Sequence, residues 1–186
     1  MTTYGIVIEG EYDEAALTEI IKKCISSEIE IIPRKCGAKD RLMRMFSGFL
    51  ESFRREKQGS DVDKAIVIRD SHGKNPDELK EKMRNKITNR NYSFDVKFIV
   101  IVQELEAWFL ADEEAISRVT KSSVSRINEN LESISDPKQI LNRILSDTRV
   151  AYTKAVAQEI AKELNLDKIE YRCPTFKEFR QAVIDC

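Results

Sequence analysis

Acidic side chains follow three of the short apolar runs in this chain, and their types and spacing suit divalent-metal chemistry. Tyr4-Gly5-Ile6-Val7-Ile8 leads into Glu9-Gly10-Glu11-Tyr12-Asp13, Ala65-Ile66-Val67-Ile68 reaches Asp70, and Phe98-Ile99-Val100-Ile101-Val102 reaches Glu104 and Glu106. Glycine after Glu9 lets the backbone turn sharply, and Asp13 brings a second carboxylate four residues on. In open α/β sheets ligands bind outside the carboxyl ends of the strands. One acid after a strand is commonplace. Three strands converging on acids point to a divalent metal site. For Glu9 in particular, an acid placed between Ile6-Val7-Ile8 and a glycine has little structural purpose.

The elements that must position these groups alternate along the chain. Strands are expected at Tyr4–Ile8, Ile29–Pro33, Lys64–Arg69 and Val96–Val102. Between them, Leu17, Ile20, Ile21, Cys24 and Ile25 recur at helical spacing in a helix from about Glu14 to Ser27. Leu42, Phe46, Phe49, Leu50 and Phe53 mark a second helix from Lys39 to Lys57, with Gly59 as its stop. Asn75-Pro76-Asp77-Glu78 reads as an N-cap, a first-turn proline and a glutamate three residues after the cap, opening a helix with Leu79, Met83 and Ile87. Strands alternating with helices predict an α/β fold: a mostly parallel, Rossmann-like sheet flanked by helices on both faces. After the fourth strand the pattern turns helical. Asp112 heads an acidic first turn, stripes follow at Val124, Ile127, Leu131 and Ile134, and Asp136-Pro137 caps a helix with Ile140, Leu141, Ile144 and Leu145. Val156, Ile160 and Leu164 mark the next, Ile169–Cys173 reads as a short edge strand, and a last helix from Pro174 carries Phe176, Phe179 and Val183. One domain is expected over 1–186, an α/β core at 1–106 with a mainly helical extension at 107–186, because no Gly/Ser/Pro-rich linker divides them.

Composition narrows the function classes. The 186 residues are 41% apolar with a mean hydropathy of −0.42, and no uninterrupted apolar run exceeds five residues, as in Phe98–Val102. A bilayer span needs about 20, so no membrane role is expected, and no secretory leader is visible. Cys24, Cys36, Cys173 and Cys186 are scattered and His72 is the single histidine; this argues against a structural zinc site and for reduced thiols in a cytoplasm. Cys24, on the apolar stripe of its helix, reads as core. The net charge of −1 hides eight bases against three acids from Arg34 to Lys57, and eight acids against three bases from Glu104 to Asp136. That is either a basic flank for a polyanion beside an acidic site or a pair of ordinary solvated helix faces. The chain has no Gly-x-x-x-x-Gly-Lys-[Ser/Thr], no Gly-x-Gly-x-x-Gly, no Gly-x-Ser-x-Gly and no aromatic RNA-recognition signature.

Glu9-Gly10-x-x-Asp13 after a strand, with Leu17 in the following helix, resembles the first motif of Toprim domains. These are the small α/β modules of topoisomerases, bacterial primases and overcoming-lysogenization-defect nucleases. Their next motif is Asp-x-Asp at the end of a later strand, where this chain has Asp70-Ser71-His72. The run Gln103-Glu104-Leu105-Glu106-Ala107-Trp108-Phe109-Leu110-Ala111-Asp112 is similar to the Glu-Leu-Glu-x-Trp-x-Leu-x-Asp signature of a Toprim-like family of uncharacterised prokaryotic proteins, domain of unknown function 4276. Tyr152-x-Lys154 and Cys173-Pro174-Thr175-Phe176 also fit that family, so the resemblance covers essentially the whole chain.

The resemblance implies a site for metal-dependent phosphotransfer. Glu9 would be a metal ligand or general acid/base, Asp70 a catalytic residue and primary Mg2+ ligand, and Glu104 or Glu106 a further carboxylate. Asp13 would ligate a metal or cap its helix. His72 stands where a second aspartate is usual, as a ligand or as an exposed turn residue. Imidazole is a softer donor, which moves preference from Mg2+ toward Mn2+ or Zn2+, weakens binding, or marks lost catalysis. In two-metal hydrolysis, ions about 3.5–4 Å apart activate a water and stabilise the leaving oxygen. Lys39 and Arg69 are candidate phosphate contacts or solvated cations, and Trp108 is core or interface rather than a substrate platform. Two functions are therefore expected as alternatives. One is a Mg2+- or Mn2+-dependent nuclease or phosphotransferase acting on DNA or RNA beside a separate ATPase, in phage defence. The other is a non-catalytic Toprim-scaffold module that binds a protein partner or nucleotide.

Overall fold

The apolar runs fold into four parallel strands: β1 (Thr2–Ile8), β2 (Ile29–Lys35), β3 (Lys64–Asp70) and β4 (Asp95–Ile101), in the order β2-β1-β3-β4. The computed structural model describes residues 1–37, 39–55 and 62–185, without the side chains of Lys39, Asp40 and Arg55. Lys57, the expected helix stop Gly59 and Cys186 lie outside the described residues. Helices connect the strands: α1 (Glu11–Cys24), α2 (Lys39–Arg55) and α3 (Pro76–Ile87). After β4 come α4 (Glu106–Leu110), α5 (Glu113–Thr120), a 3-10 turn at Leu131–Ser133, α6 (Pro137–Asp147), α7 (Lys154–Glu163), α8 (Leu166–Arg172) and α9 (Phe176–Ile184). Among the described residues no helix is long and apolar enough to cross a membrane.

The period-2 alternation of the strands sorts their side chains into two cores. On one face Tyr4, Ile6, Ile8, Ile66, Ile68, Ile99 and Ile101 meet Leu17, Ile20 and Ile21 of α1 and the apolar stripes of the C-terminal helices. On the other, Val7, Ala65, Val67, Phe98 and Val100 meet Leu42, Phe46, Leu50 and Phe53 of α2 and Leu79 and Met83 of α3. Gly5 is required by this second layer, because a Cβ there would stand 2.7 Å from Cε2 of Phe53. The C-terminal helices share the first core with the sheet. Trp108, 2% exposed, has its ring 4.8 Å from Phe176 and 5.0 Å from Phe179. Two buried polar groups tie the sheet to α9: the Tyr4 hydroxyl donates to Val183 O at 2.9 Å and Lys64 Nζ to Ala182 O at 3.2 Å.

Three expectations need correction. First, α1 begins at Glu11 rather than Glu14, because Gly10 is its N-cap and the Gly10 N–H donates to Asp13 Oδ2 at 2.7 Å. Second, Ile169–Cys173 is not an edge strand but lies on α8 and its C-cap. Asn165 caps that helix by accepting from the N–H groups of Asp167 and Lys168, and Leu166, Ile169 and Cys173 are buried at helical spacing. Third, the stripe from Val124 to Ile134 is irregular apart from the 3-10 turn. Ser and Asn compete with the helix for its backbone hydrogen bonds: Ser117 Oγ accepts from Val124 N at 3.0 Å, and Asn130 Oδ1 from Glu132 N at 3.1 Å. By contrast the caps Asn75, Asp112 and Asp136 all act as read, each accepting from backbone N–H groups of the helix it precedes. β2 runs two residues past Pro33, which an edge strand tolerates.

Candidate active site at the carboxyl edge of the sheet

Parallel pairing puts the ends of β1, β3 and β4 on one edge. Val7 lies beside Val67 and Asp70 beside Ile101, so Glu9, Asp70 and the Gln103–Glu106 turn emerge together. The β3 and β4 ends are laced beyond the strands themselves. Ser71 N donates to Ile101 O at 2.8 Å, His72 N to Gln103 O at 3.0 Å and Gln103 N to Ser71 Oγ at 2.8 Å. That lacing holds His72 at φ 46° and Gln103 at φ 61°, a left-handed conformation that costs a side-chain-bearing residue about 1–2 kcal/mol. Such strain clusters at functional sites.

His72 is thereby set between two acids. Its Nε2 is 3.7 Å from Glu9 Oε2 and its Nδ1 is 3.5 Å from Glu104 Oε1. Glu104 Oε2 accepts from Lys138 N at 3.1 Å, in the first turn of α6. The His72 contact first, then this backbone bond, holds the Glu104 carboxyl below its ordinary value. Glu106 is 5% exposed, accepts from the Tyr152 hydroxyl at 3.0 Å and lies 3.6 Å from Lys138 Nζ. Burial raises its pKa. Both glutamates thus lie at this edge, Glu104 against His72 and Glu106 against Tyr152 and Lys138, where helical phasing alone leaves the choice open. Trp108 points away from it, into the core.

Glu9, Asp13, Leu17, Ile68, Arg69, Asp70 and Ile101 line a narrow crevice of about 10 Å3, the space of a single water. Burial, and then the charges of Asp13, Glu106, Glu9 and Glu104, raise the Asp70 pKa well above the ordinary value. Burial likewise pushes Asp13 up to about 6 against the pull of the Gly10 N–H, with Glu106 and Glu9 adding to the rise. Asp13 thus both caps α1 and faces the crevice. Arg69 is not a surface cation. It is 5% exposed, donates from Nε to Asp70 O at 3.3 Å and stands 4.0 Å from Glu9 Oε1. The Lys39 side chain, the other expected phosphate contact, is outside the described residues.

Sequence reasoning missed the cationic, aromatic wall across the crevice. Lys138 Nζ sits 5.2 Å from the Tyr12 ring and 5.9 Å from the Tyr152 ring, and the two rings are 5.1 Å apart. Lys35 and Lys154 both reach Glu14 Oε2, at 2.8 and 3.6 Å. Tyr152-x-Lys154 carried the signal for two of these residues; Lys138 has no signal beyond its place after the Asp136-Pro137 cap.

The donor set is chemically right for a hard divalent cation: carboxylate oxygens with one imidazole. Among the described residues Glu9 Oε1 is buried with no hydrogen-bond donor and with Arg69 4.0 Å away, as an oxygen that could accept a cation would be. Among the described residues, however, no three His, Cys, Asp or Glu side chains already stand in ligating geometry, so binding would have to draw carboxylates inward.

Burial of acids in this edge has a pH signature. The Asp13 carboxyl rises from 3.8 to about 6 on folding, so the folded chain holds this proton more tightly than the unfolded one. The resulting stability is present below 3.8 and is lost as pH rises through about 6. In EDTA the protein is therefore expected to melt higher at about pH 5 than at about pH 7.5, and Asp13→Asn should narrow that gap. Calorimetric melts of both proteins check this; an unchanged gap in the variant would assign the dependence elsewhere.

A family model described as Domain of unknown function (DUF4276) matches residues 8–184. Nothing among the curated proteins or the solved structures matches the chain. The matched span runs from the last residue of β1 to the last residue of α9 and takes in every acid of the crevice. The chain belongs to the DUF4276 family.

Proposed function

We propose that this chain is a Toprim-like, metal-dependent enzyme that cleaves phosphodiester bonds in nucleic acid, acting with a separately encoded ATPase in a system such as phage defence. The observation that carries the reading is that Glu9, Asp70 and Glu104, at three parallel strand ends, are joined by Asp13 of α1 and Glu106 of α4, so that burial first and these charges next raise the Asp70 pKa. So much like charge, most of it half-buried, destabilises a fold unless a cation relieves it. The Toprim relationship is supported by Glu9-Gly10-x-x-Asp13 lying at the end of β1, beside Asp70 at the end of β3.

Glu9, Asp13, Asp70, His72, Glu104 and Glu106 are the residues that would hold Mg2+ or Mn2+. A divalent cation there supplies Lewis acidity, activating water and stabilising the leaving oxygen of an in-line displacement. The chain's own residues orient the parts. Arg69 gives Glu9 a fixed counter-charge from behind, and the Tyr152 hydroxyl holds Glu106 in one rotamer. Lys138, half-exposed on its two rings, is the cation placed to meet a phosphate oxygen at the mouth.

One observation favours a second reading, a non-catalytic module on the same scaffold: His72 replaces an acid and pairs with Glu9 and Glu104, balancing part of the charge without a metal. Nicking of supercoiled DNA and degradation of RNA separate the two readings, assayed with the chain alone and with any ATPase encoded beside it. The enzyme reading expects cleavage with Mn2+, weaker cleavage with Mg2+ because of the imidazole donor, and none in EDTA. Cleavage that persists in EDTA overturns the mechanism, and none under any of these conditions gives the lead to the second reading.

A further inference from the structure

The two edges of the sheet are not equivalent. β2 is closed to further strand pairing by Pro33, which lacks an N–H, and by the successive charges Arg34 and Lys35. β4 has no proline, and among the described residues no backbone hydrogen bond joins Asp95–Val100 to anything but β3. Beside it runs a groove of about 580 Å3 with Val96–Ile99 along one side. Arg84 and Ile87 of α3 wall the groove on one face of the sheet, and Gln181 and Ala182 of α9 on the other. Ile184, at the end of α9, is 50% exposed.

We propose that this edge is a homodimer interface in which two copies pair β4 to β4, antiparallel, about a two-fold axis through Val96. The pairing register follows from charge. A two-fold perpendicular to the sheet keeps each side chain on its own face, so it must pass through a residue, and directly opposed residues share a face. Through Asp95 or Lys97 the axis would set like charges against each other. Through Phe98 it would set Lys97 against Ile99 and Asp95 against Ile101. Only the axis through Val96 opposes Asp95 to Lys97 of the second copy, twice, while Phe94 faces Phe98 and Val96 faces Val96 on the other side of the sheet. Asp95 and Lys97 do share a face, since they pair within one chain at 2.9 Å, and Phe94, Val96 and Phe98 all belong to the core layer beneath α2 and α3. The paired chains form one continuous sheet with the carboxylate crevices facing opposite ways. This inference does not depend on the proposed enzymatic activity.

The test is a charge swap read by sedimentation equilibrium, with a thermal melt on each variant to show folding. Wild type is expected to dimerise. Asp95→Lys and Lys97→Asp, each placing two like-charge pairs across the axis, should weaken the dimer at least roughly tenfold, and the double variant should restore it. Both positions are exposed enough for the fold to survive. A wild type that stays monomeric across the concentration range overturns the proposal. So does a dimer unaffected by the single substitutions, or a double variant that fails to recover.

Discussion

Replacing Trp108 with alanine is expected to lower the unfolding free energy by about 3–5 kcal/mol, the range for emptying a buried large aromatic site. Its ring fills the space between α4 and α9 against Phe176 and Phe179, and no small movement of one helix closes a hole of that size. For a chain of this length each kcal/mol moves the midpoint by roughly 2–4 °C, so a thermal melt followed by far-UV circular dichroism should drop by roughly 6–20 °C. Trp108→Phe should recover much of the loss. A melt unchanged by alanine, with weaker nucleic-acid binding instead, would overturn the core reading and make Trp108 a substrate platform.

On the proposed enzymatic reading, Asp70→Asn should have the largest effect on activity. It removes a carboxylate whose pKa burial raises, while keeping its shape, and under that reading loss of a group that positions transition-state charge costs roughly 10³-fold in rate, about 4 kcal/mol. The stability readout moves the other way. Without metal at about pH 7.5 the variant should melt no lower than wild type, because one repelling charge is gone. Saturating Mn2+, at about 100 times its dissociation constant, should stabilise wild type by about 2.7 kcal/mol, or roughly 5–10 °C, and most of that shift should vanish in the variant. A metal-free Asp70→Asn protein that is markedly destabilised yet keeps the full Mn2+ shift would make Asp70 a structural acceptor.

How legible these features are follows from how local their causes are. β1, β3 and β4 are readable because each is a continuous apolar run covered on both faces, and in a parallel sheet such runs necessarily end on one edge, which brings Glu9 to Asp70. The caps Asn75, Asp112 and Asp136 are readable because a cap is a contact over two or three residues. The segment Ile169–Cys173 misleads because its short apolar spacing suits strand and helix alike, and the deciding contact is the Asn165 cap before it. The wall formed by Tyr12, Lys138 and Tyr152 is readable only at Tyr152, because three distant parts of the chain meet only after the C-terminal helices dock on the sheet. Arg69 looks like a surface cation until the β1 and β3 ends are laid side by side.

The bond from the Tyr4 hydroxyl to Val183 O joins residues 179 positions apart, and it ties the central strand β1 to the last helix. Contacts of such long sequence separation slow folding, because chain closure must precede the gain from burial. At a synthesis rate of about 5–20 residues per second, roughly 9–36 s separate the emergence of Tyr4 from that of its partner. During that interval α1 can cover this face of β1, but the Tyr4 hydroxyl still lacks its partner on α9. This chain should therefore depend on chaperone protection during translation more than a fold of equal size built from neighbouring hairpins.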